Sequence, residues 1–184
     1  MTAKLKHGIT KVKDPGSALT HFIAMILAII AAMPLLSKAG HDSGHMHISA
    51  LAVFILSMIG LYAASTIYHT LDISPKINKL LRKIDHMMIF ILIAGTYTPV
   101  CMIVLGDKTG WTMLTLVWGI AIVGILINAL WITCPKWFSS LIYIAMGWVC
   151  ILAITKILSS MPRAGFMWLL AGGIISVSYT HLTL

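Results

Sequence analysis

Five apolar runs, at 19–36, 48–71, 84–105, 111–132 and 138–158, constrain this chain more than any other feature. At 1.5 Å of rise per residue, about 20 apolar residues in a helix cross the hydrocarbon layer of a bilayer. A sixth run begins at Ala164, reads AGFMWLLAGGII, and is cut short by a polar ending. Turn-forming residues separate the runs: Lys38-Ala39-Gly40, Ser74-Pro75, the stretch 106–110, Cys134-Pro135-Lys136 and Met161-Pro162-Arg163. A membrane barrel would show short segments alternating apolar and polar residues, and none is present in the sequence. The expected fold is therefore all-α, a polytopic transmembrane helix bundle with five complete spans and a truncated sixth.

Composition excludes the alternatives. Hydrophobic residues make up 59% of the 184 and charged residues 10%, with a mean hydropathy of +0.97. A soluble domain is about 45–50% apolar and roughly 25% charged. A chain this short has too little interior to hide the excess. Disordered, coiled-coil and disulfide-scaffold classes fail on the same figures. The first run is long for the core of a cleaved signal peptide, and further spans follow it. The expected organisation is a basic tail at 1–18, a helix bundle at 19–175 and an unrelated ending at 176–184.

The net charge of +8 comes from thirteen Lys and Arg against five acidic residues. In a soluble protein it would suggest nucleic acid. Here the basic residues flank apolar runs, where membrane orientation accounts for them, and no nucleic-acid partner is expected. Lys4, Lys6, Lys11, Lys13, Lys76, Lys79, Arg82, Lys83 and Lys136 fall on one side; Lys38, Lys108, Lys156 and Arg163 fall on the other. The positive-inside rule then puts the N-terminus in the cytoplasm of a multi-pass cell-membrane protein. Trp111, Trp131 and Trp137 sit at expected membrane interfaces. Cys101, Cys134 and Cys150 are irregularly spaced and read as small membrane-buried side chains, not as a disulfide or zinc framework. The segment 75–84 has Ile77, Leu80, Leu81 and Ile84 at helical spacing with basic residues between them. It reads either as a short amphipathic helix on the cytoplasmic surface or as a basic topogenic loop, with Ser74 as cap and Pro75 in the first turn in the helical case.

Ionisable groups inside a span are costly and need a reason. His7 lies in the tail, and His41, His45 and His47 form a loop, HDSGHMH, that reads as solvated rather than metal-binding. Ser65 and His69 are four apart, hence on one helix face. The second run descends to the side where the third begins, so topology brings Ser65, His69 and Asp85 to one membrane depth. A neutral imidazole is a zinc ligand, and a nearby carboxylate can handle protons. Spacing alone leaves open whether these residues form a metal site or merely hydrate at the interface. His86 should point about 100° away from Asp85 around the helix. Pro99 should perturb the third helix, with Thr96 and Thr98 compensating. Asn128 reads as a helix–helix hydrogen bond.

The runs DPGSALTHFIA at 14–24, LYAASTIYHTLD at 61–72 and LRKIDHMMIFILIAGTYTP at 81–99 resemble the bacterial hemolysin III family, within the progestin and adiponectin receptor superfamily. ITCPKWFSSLIYIAMGW at 132–148 and MPRAGFMWLLAGGI at 161–174 continue the likeness. The resemblance implies a seven-helix bundle with zinc near the cytoplasmic face. His69 would be one ligand, beside two histidines from an H-x-x-x-H on the seventh helix. Asp85 would hydrogen-bond the water on the metal, and Ser65 would be a polar neighbour. The superfamily's likeness to alkaline ceramidases implies hydrolysis of a lipid amide. The residues after about Ile175, SVSYTHLTL, depart from the family and read as an artefactual ending, so His181 is not offered as a ligand and two of the three expected His ligands are missing. Two other functions fit the same spans: a lipid sensor with structural zinc, and a pore-forming cytolysin, the activity that gives the family its name. Few polar positions are available to line a pore.

Overall fold

The computed structural model describes residues 12–42, 44–131 and 136–182, with the side chains at 41, 42, 136 and 176–182 excepted. Lys4, Lys6, His7, Lys11, Cys134 and the side chains of His41, Lys136 and His181 thus lie outside the described residues. Among the described residues seven α-helices follow one another: α1 (Pro15–Asp42), α2 (His45–Thr70), α3 (Pro75–Pro99), α4 (Lys108–Leu130), α5 (Lys136–Trp148), α6 (Ile154–Ser160) and α7 (Arg163–Leu182). Five stretches are long and apolar enough to cross a membrane: Pro15–Gly40, His45–Thr70, Pro75–Leu105, Lys108–Leu130 and Trp137–Ser160. Arg163–Ile175 is a shorter apolar helix. Among the described residues there is no strand. The all-α bundle expected from the apolar runs is what forms.

Local chemistry sets the boundaries. The Ser74 hydroxyl accepts from Ile77 N at 3.3 Å and Pro75 opens α3, as expected from the sequence. The segment 75–84 is neither a separate surface helix nor a loop: its residues are the first turns of α3, continuous with the third span. After Pro99, which has no N–H to give the preceding turn, the backbone widens into a π-helical stretch, Val100–Leu105. It ends at Gly106, whose φ of 59° is left-handed and whose N–H reaches Cys101 O at 3.1 Å. The Asp107 carboxylate then caps α4 through Gly110 N. The fifth span is interrupted by a tight 3-10 stretch, Val149–Ala153, between α5 and α6. Tyr97 serves that break: its hydroxyl donates toward Met146 O and Gly147 O (2.8 and 2.9 Å) and accepts from Cys150 N at 3.0 Å. The backbone of α7 stays helical beyond the apolar run, to Leu182.

The core lies between α3, α4 and the fifth span, around Phe90, Val117, Met146 and Ile157. Phe90 packs on Tyr143, with ring centroids 4.5 Å apart, and seats against Gly124, where any Cβ would lie 2.4 Å from its ring. Asn128 joins α4 to α5 by accepting from the Ser139 hydroxyl at 3.2 Å, the interhelical bond expected of it. Cys101 is buried and Cys150 half-buried, both as free thiols. By contrast α1 is covered by α2 alone among the described elements. Polar groups on α1 that are sheltered from lipid must therefore be sheltered by α2.

Candidate functional site

The end of the bundle where α1 starts, α2 finishes and α3 starts brings Asp14, His21, Ser65 and His69 together, with Asp85 on the adjoining turns of α3. Asp14 begins this assembly. Its carboxylate caps α1, accepting from the Ser17 hydroxyl at 2.7 Å and from Ser17 N at 3.5 Å, with Pro15 in the first turn. The Ser17 hydroxyl, helped by the Ser17 N–H and His69 and opposed by partial burial, holds the Asp14 carboxyl below the usual carboxylate range.

Two turns along α1, His21 faces α2. Its Nδ1 meets the Ser65 hydroxyl at 2.5 Å, and its ring stands edge-on to His69 with centroids 5.5 Å apart. Ser65 is buried. The charges of Asp14 and Asp85 are both within electrostatic range of His21. His69, one turn below Ser65, turns Nδ1 toward Asp14 Oδ2 at 3.3 Å. Asp85 is buried on α3 and comes within 3.8 Å of His86 Nδ1. The His86 ring also donates to Arg82 O at 2.8 Å.

Of the residues singled out from the sequence, Ser65 and His69 share the α2 face that meets His21. Asp85 lies on the adjoining α3, and none of the described hydrogen bonds links it to Ser65 or His69. Asp14 and His21 were not singled out as site residues. The signal was present: His21 is an ionisable residue inside an apolar run, and the rule that selects His69 and Asp85 applies to it equally. His45 and His47 are at the opposite end of α2. His45 is exposed, while the His47 Nδ1 is buried and has no hydrogen-bond partner among the described residues.

At that opposite end Lys156 pairs with Asp107 and reaches Thr109 Oγ1 at 3.1 Å, tying the fifth span to the turn before α4. The Lys156 hydrogen bond, with Gly110 N–H, holds the Asp107 carboxyl below its ordinary value.

The whole bundle, polar end included, matches the profile of proteins described as "Haemolysin-III related" over residues 9–180. The chain belongs to that family. "Hemolysin-3" of Bacillus cereus is 39% identical over 176 residues, covering 95% of this chain and 80% of that protein. The "Hemolysin-3 homolog" of Bacillus subtilis (strain 168) is 35% identical over 163 residues, covering 89% of this chain and 76% of that protein. Five apolar helices and these relatives make this hemolysin III family member a multi-pass membrane protein. Its polar cluster therefore sits at one membrane face, on the first three spans.

Proposed function

We propose that this hemolysin III family member is a membrane-resident zinc protein whose site is the polar end of α1, α2 and α3, and that the site hydrolyses an amide bond in a lipid. The observation that supports it is the convergence of Asp14, His21, Ser65 and His69, with Asp85 buried on the adjoining α3, in a chain with five acidic residues in all. Within this donor set His69 is the side chain suited to a metal. With Nδ1 occupied by a carboxylate, His69 keeps Nε2 for a ligand bond, the arrangement common at zinc-bound imidazoles. Among the described residues no three His, Cys, Asp or Glu side chains stand together as a ready metal group. His69 is thus one ligand, as the family resemblance implies.

Zinc, when bound, would acidify a water molecule and polarise a carbonyl. Asp85, buried beside this end of α2, is the carboxylate placed to take a proton from water and return it to a leaving amine. With His21 Nδ1–H donating to it, the Ser65 hydroxyl would keep its own proton for the oxygen of a bound amide. The basic residues at the start of α3, Lys76, Lys79, Arg82 and Lys83, support a cytoplasmic position for this end.

The test is His69→Ala in the full chain, read by zinc content and by release of fatty acid from a ceramide in mixed micelles. Loss of both is expected. Full zinc content in the variant refutes the site. Zinc loss with unfolding, and no lipid product from wild type, replaces hydrolysis with a structural zinc. The relatives are named hemolysins, so ion flux through proteoliposomes that is indifferent to His69→Ala would instead favour a pore.

A further inference from the structure

The third span is longer than a bilayer needs. Pro75–Leu105 runs for 31 residues, about 46 Å at 1.5 Å per residue, against roughly 30 Å of hydrocarbon. The surplus of about 16 Å, or about ten residues, matches the segment 75–84, where Lys76, Lys79, Arg82 and Lys83 are concentrated. Tilting the helix to hide the surplus would draw these cations into hydrocarbon, which is costly. The first turns of α3 therefore stand in the headgroup layer.

Two stripes run along these turns. Ile77, Leu80 and Ile84 are 39%, 56% and 37% exposed and lie on one face of the helix. Lys76, Lys79 and Lys83 each precede one of them, and so form a second stripe about 100° around the helix. Lys83 donates to Ala129 O at 3.1 Å, which anchors the basic stripe to α4. Lys76, Lys79 and Arg82 are exposed, and none of the three is in an ion pair among the described residues. The carboxylates at this end are engaged otherwise. Asp72 accepts from the Asn78 amide at 2.6 Å, Asp14 accepts from the Ser17 hydroxyl, and Asp85 is buried. An exposed apolar stripe beside uncompensated cations complements a molecule that carries both an acyl chain and an anionic phosphate.

We propose that the first turns of α3 bind an anionic phospholipid of the bilayer, its phosphate at Lys76 and Lys79 and an acyl chain along Ile77, Leu80 and Ile84. Residues three apart are surface neighbours on a helix, so the two lysines can share one headgroup. A zwitterionic lipid brings its own cation to the same place and gains less from them. The site does not depend on the zinc reading of His69.

The test is native mass spectrometry of the full chain released from detergent with equimolar phosphatidylglycerol and phosphatidylcholine, read as the ratio of the two in the first lipid retained. Wild type is expected to favour phosphatidylglycerol by about fivefold or more, and Lys76→Gln/Lys79→Gln to fall to near parity. Lys76→Arg/Lys79→Arg keeps the charge and should keep the preference. Lys38→Gln/Lys108→Gln removes the same charge from the opposite end and should also keep it. No preference in wild type overturns the proposal. So does an equal loss in Lys38→Gln/Lys108→Gln, because net charge would then be the cause. Displacement of the lipid by excess soluble glycerophosphoglycerol would make this a simple anion site and overturn the acyl contact. Should the double Gln variant fail to fold, Lys79→Gln alone should lose part of the preference, and an unchanged ratio there counts against the site.

Discussion

The frame that carries the polar cluster depends on a close approach between α2 and α3, and Gly95→Ala tests it. A Cβ at Gly95 would lie 2.2 Å from Ser57 Oγ and 2.8 Å from Ser57 Cβ, while the next atom, Val53 O, is at an ordinary 3.5 Å. Rotating the serine relieves the first clash but not the second, so the helices must separate. Overpacking of this kind costs about 1–3 kcal/mol. Replacing a mid-helix Gly with Ala returns up to about 1 kcal/mol. Two atoms within 3 Å, one of them a Cβ, put the cost in the upper half of that range, so after the helix gain the net loss is about 1–2 kcal/mol, roughly a 5–30-fold change in the folding equilibrium. Reversible unfolding in mixed micelles by SDS titration would read it. Gly119→Ala, which meets nothing within 4 Å, serves as the control and should be neutral or stabilising. Ser57→Gly in the Gly95→Ala background removes both clashing atoms and should restore stability, with a favourable coupling of about 0.5–3 kcal/mol. Ser57→Ala keeps the offending Cβ and should not. Wild-type stability in Gly95→Ala, or equal rescue by Ser57→Ala, would refute the reasoning.

Other outcomes follow from the same contacts. Tyr97→Phe should strand the carbonyls at the α5–α6 break and cost about 1–3 kcal/mol in the same titration, and an unchanged midpoint would show that the break is satisfied otherwise. Asn128→Ala should cost about 0.6 and at most about 1.7 kcal/mol, the range for interhelical hydrogen bonds in membranes. Because Asp107 is held below its ordinary value by Lys156, its contribution is fully present above the unfolded carboxyl pKa of about 3.9 and is lost as pH falls through the lower folded value. Stability profiles of wild type and Asp107→Asn should therefore differ by a constant at neutral pH and converge in acid. Divergence with falling pH would contradict the pairing.

How much of this was legible in the sequence depended on whether the signal was local. Apolar run length determines whether a segment can span, so the five spans follow directly from composition along the chain. The Ser74-Pro75 start of α3 was legible because capping is a property of adjacent residues. The segment 75–84 is not decided by its amphipathic spacing, which suits both a surface helix and the first turns of a longer span. What decides is continuity with Asp85 and beyond, which no breaker interrupts. The break in the fifth span left no Pro or Gly pair at Val149–Ala153. It is satisfied by Tyr97, about fifty residues earlier, a partner that no local pattern announces.

The polar cluster divides along the same line. Ser65 and His69 were visible as a helical pair, and Asp85 as a charge at matching depth, because antiparallel topology alone fixes depth. Asp14 and His21 needed the azimuth of α1, which only its packing on α2 sets. That azimuth alters the chemistry. A histidine and an aspartate at matching depth could simply hydrate at a membrane surface. An imidazole gripped at Nδ1 by a capped carboxylate, beside a serine hydroxyl held by a second imidazole, has had its free rotations removed on three sides. Each restraint costs conformational entropy that surface hydration would not require. On the zinc reading proposed above, restraint of this kind would supply the fixed donor directions that a metal ion needs and solvent does not.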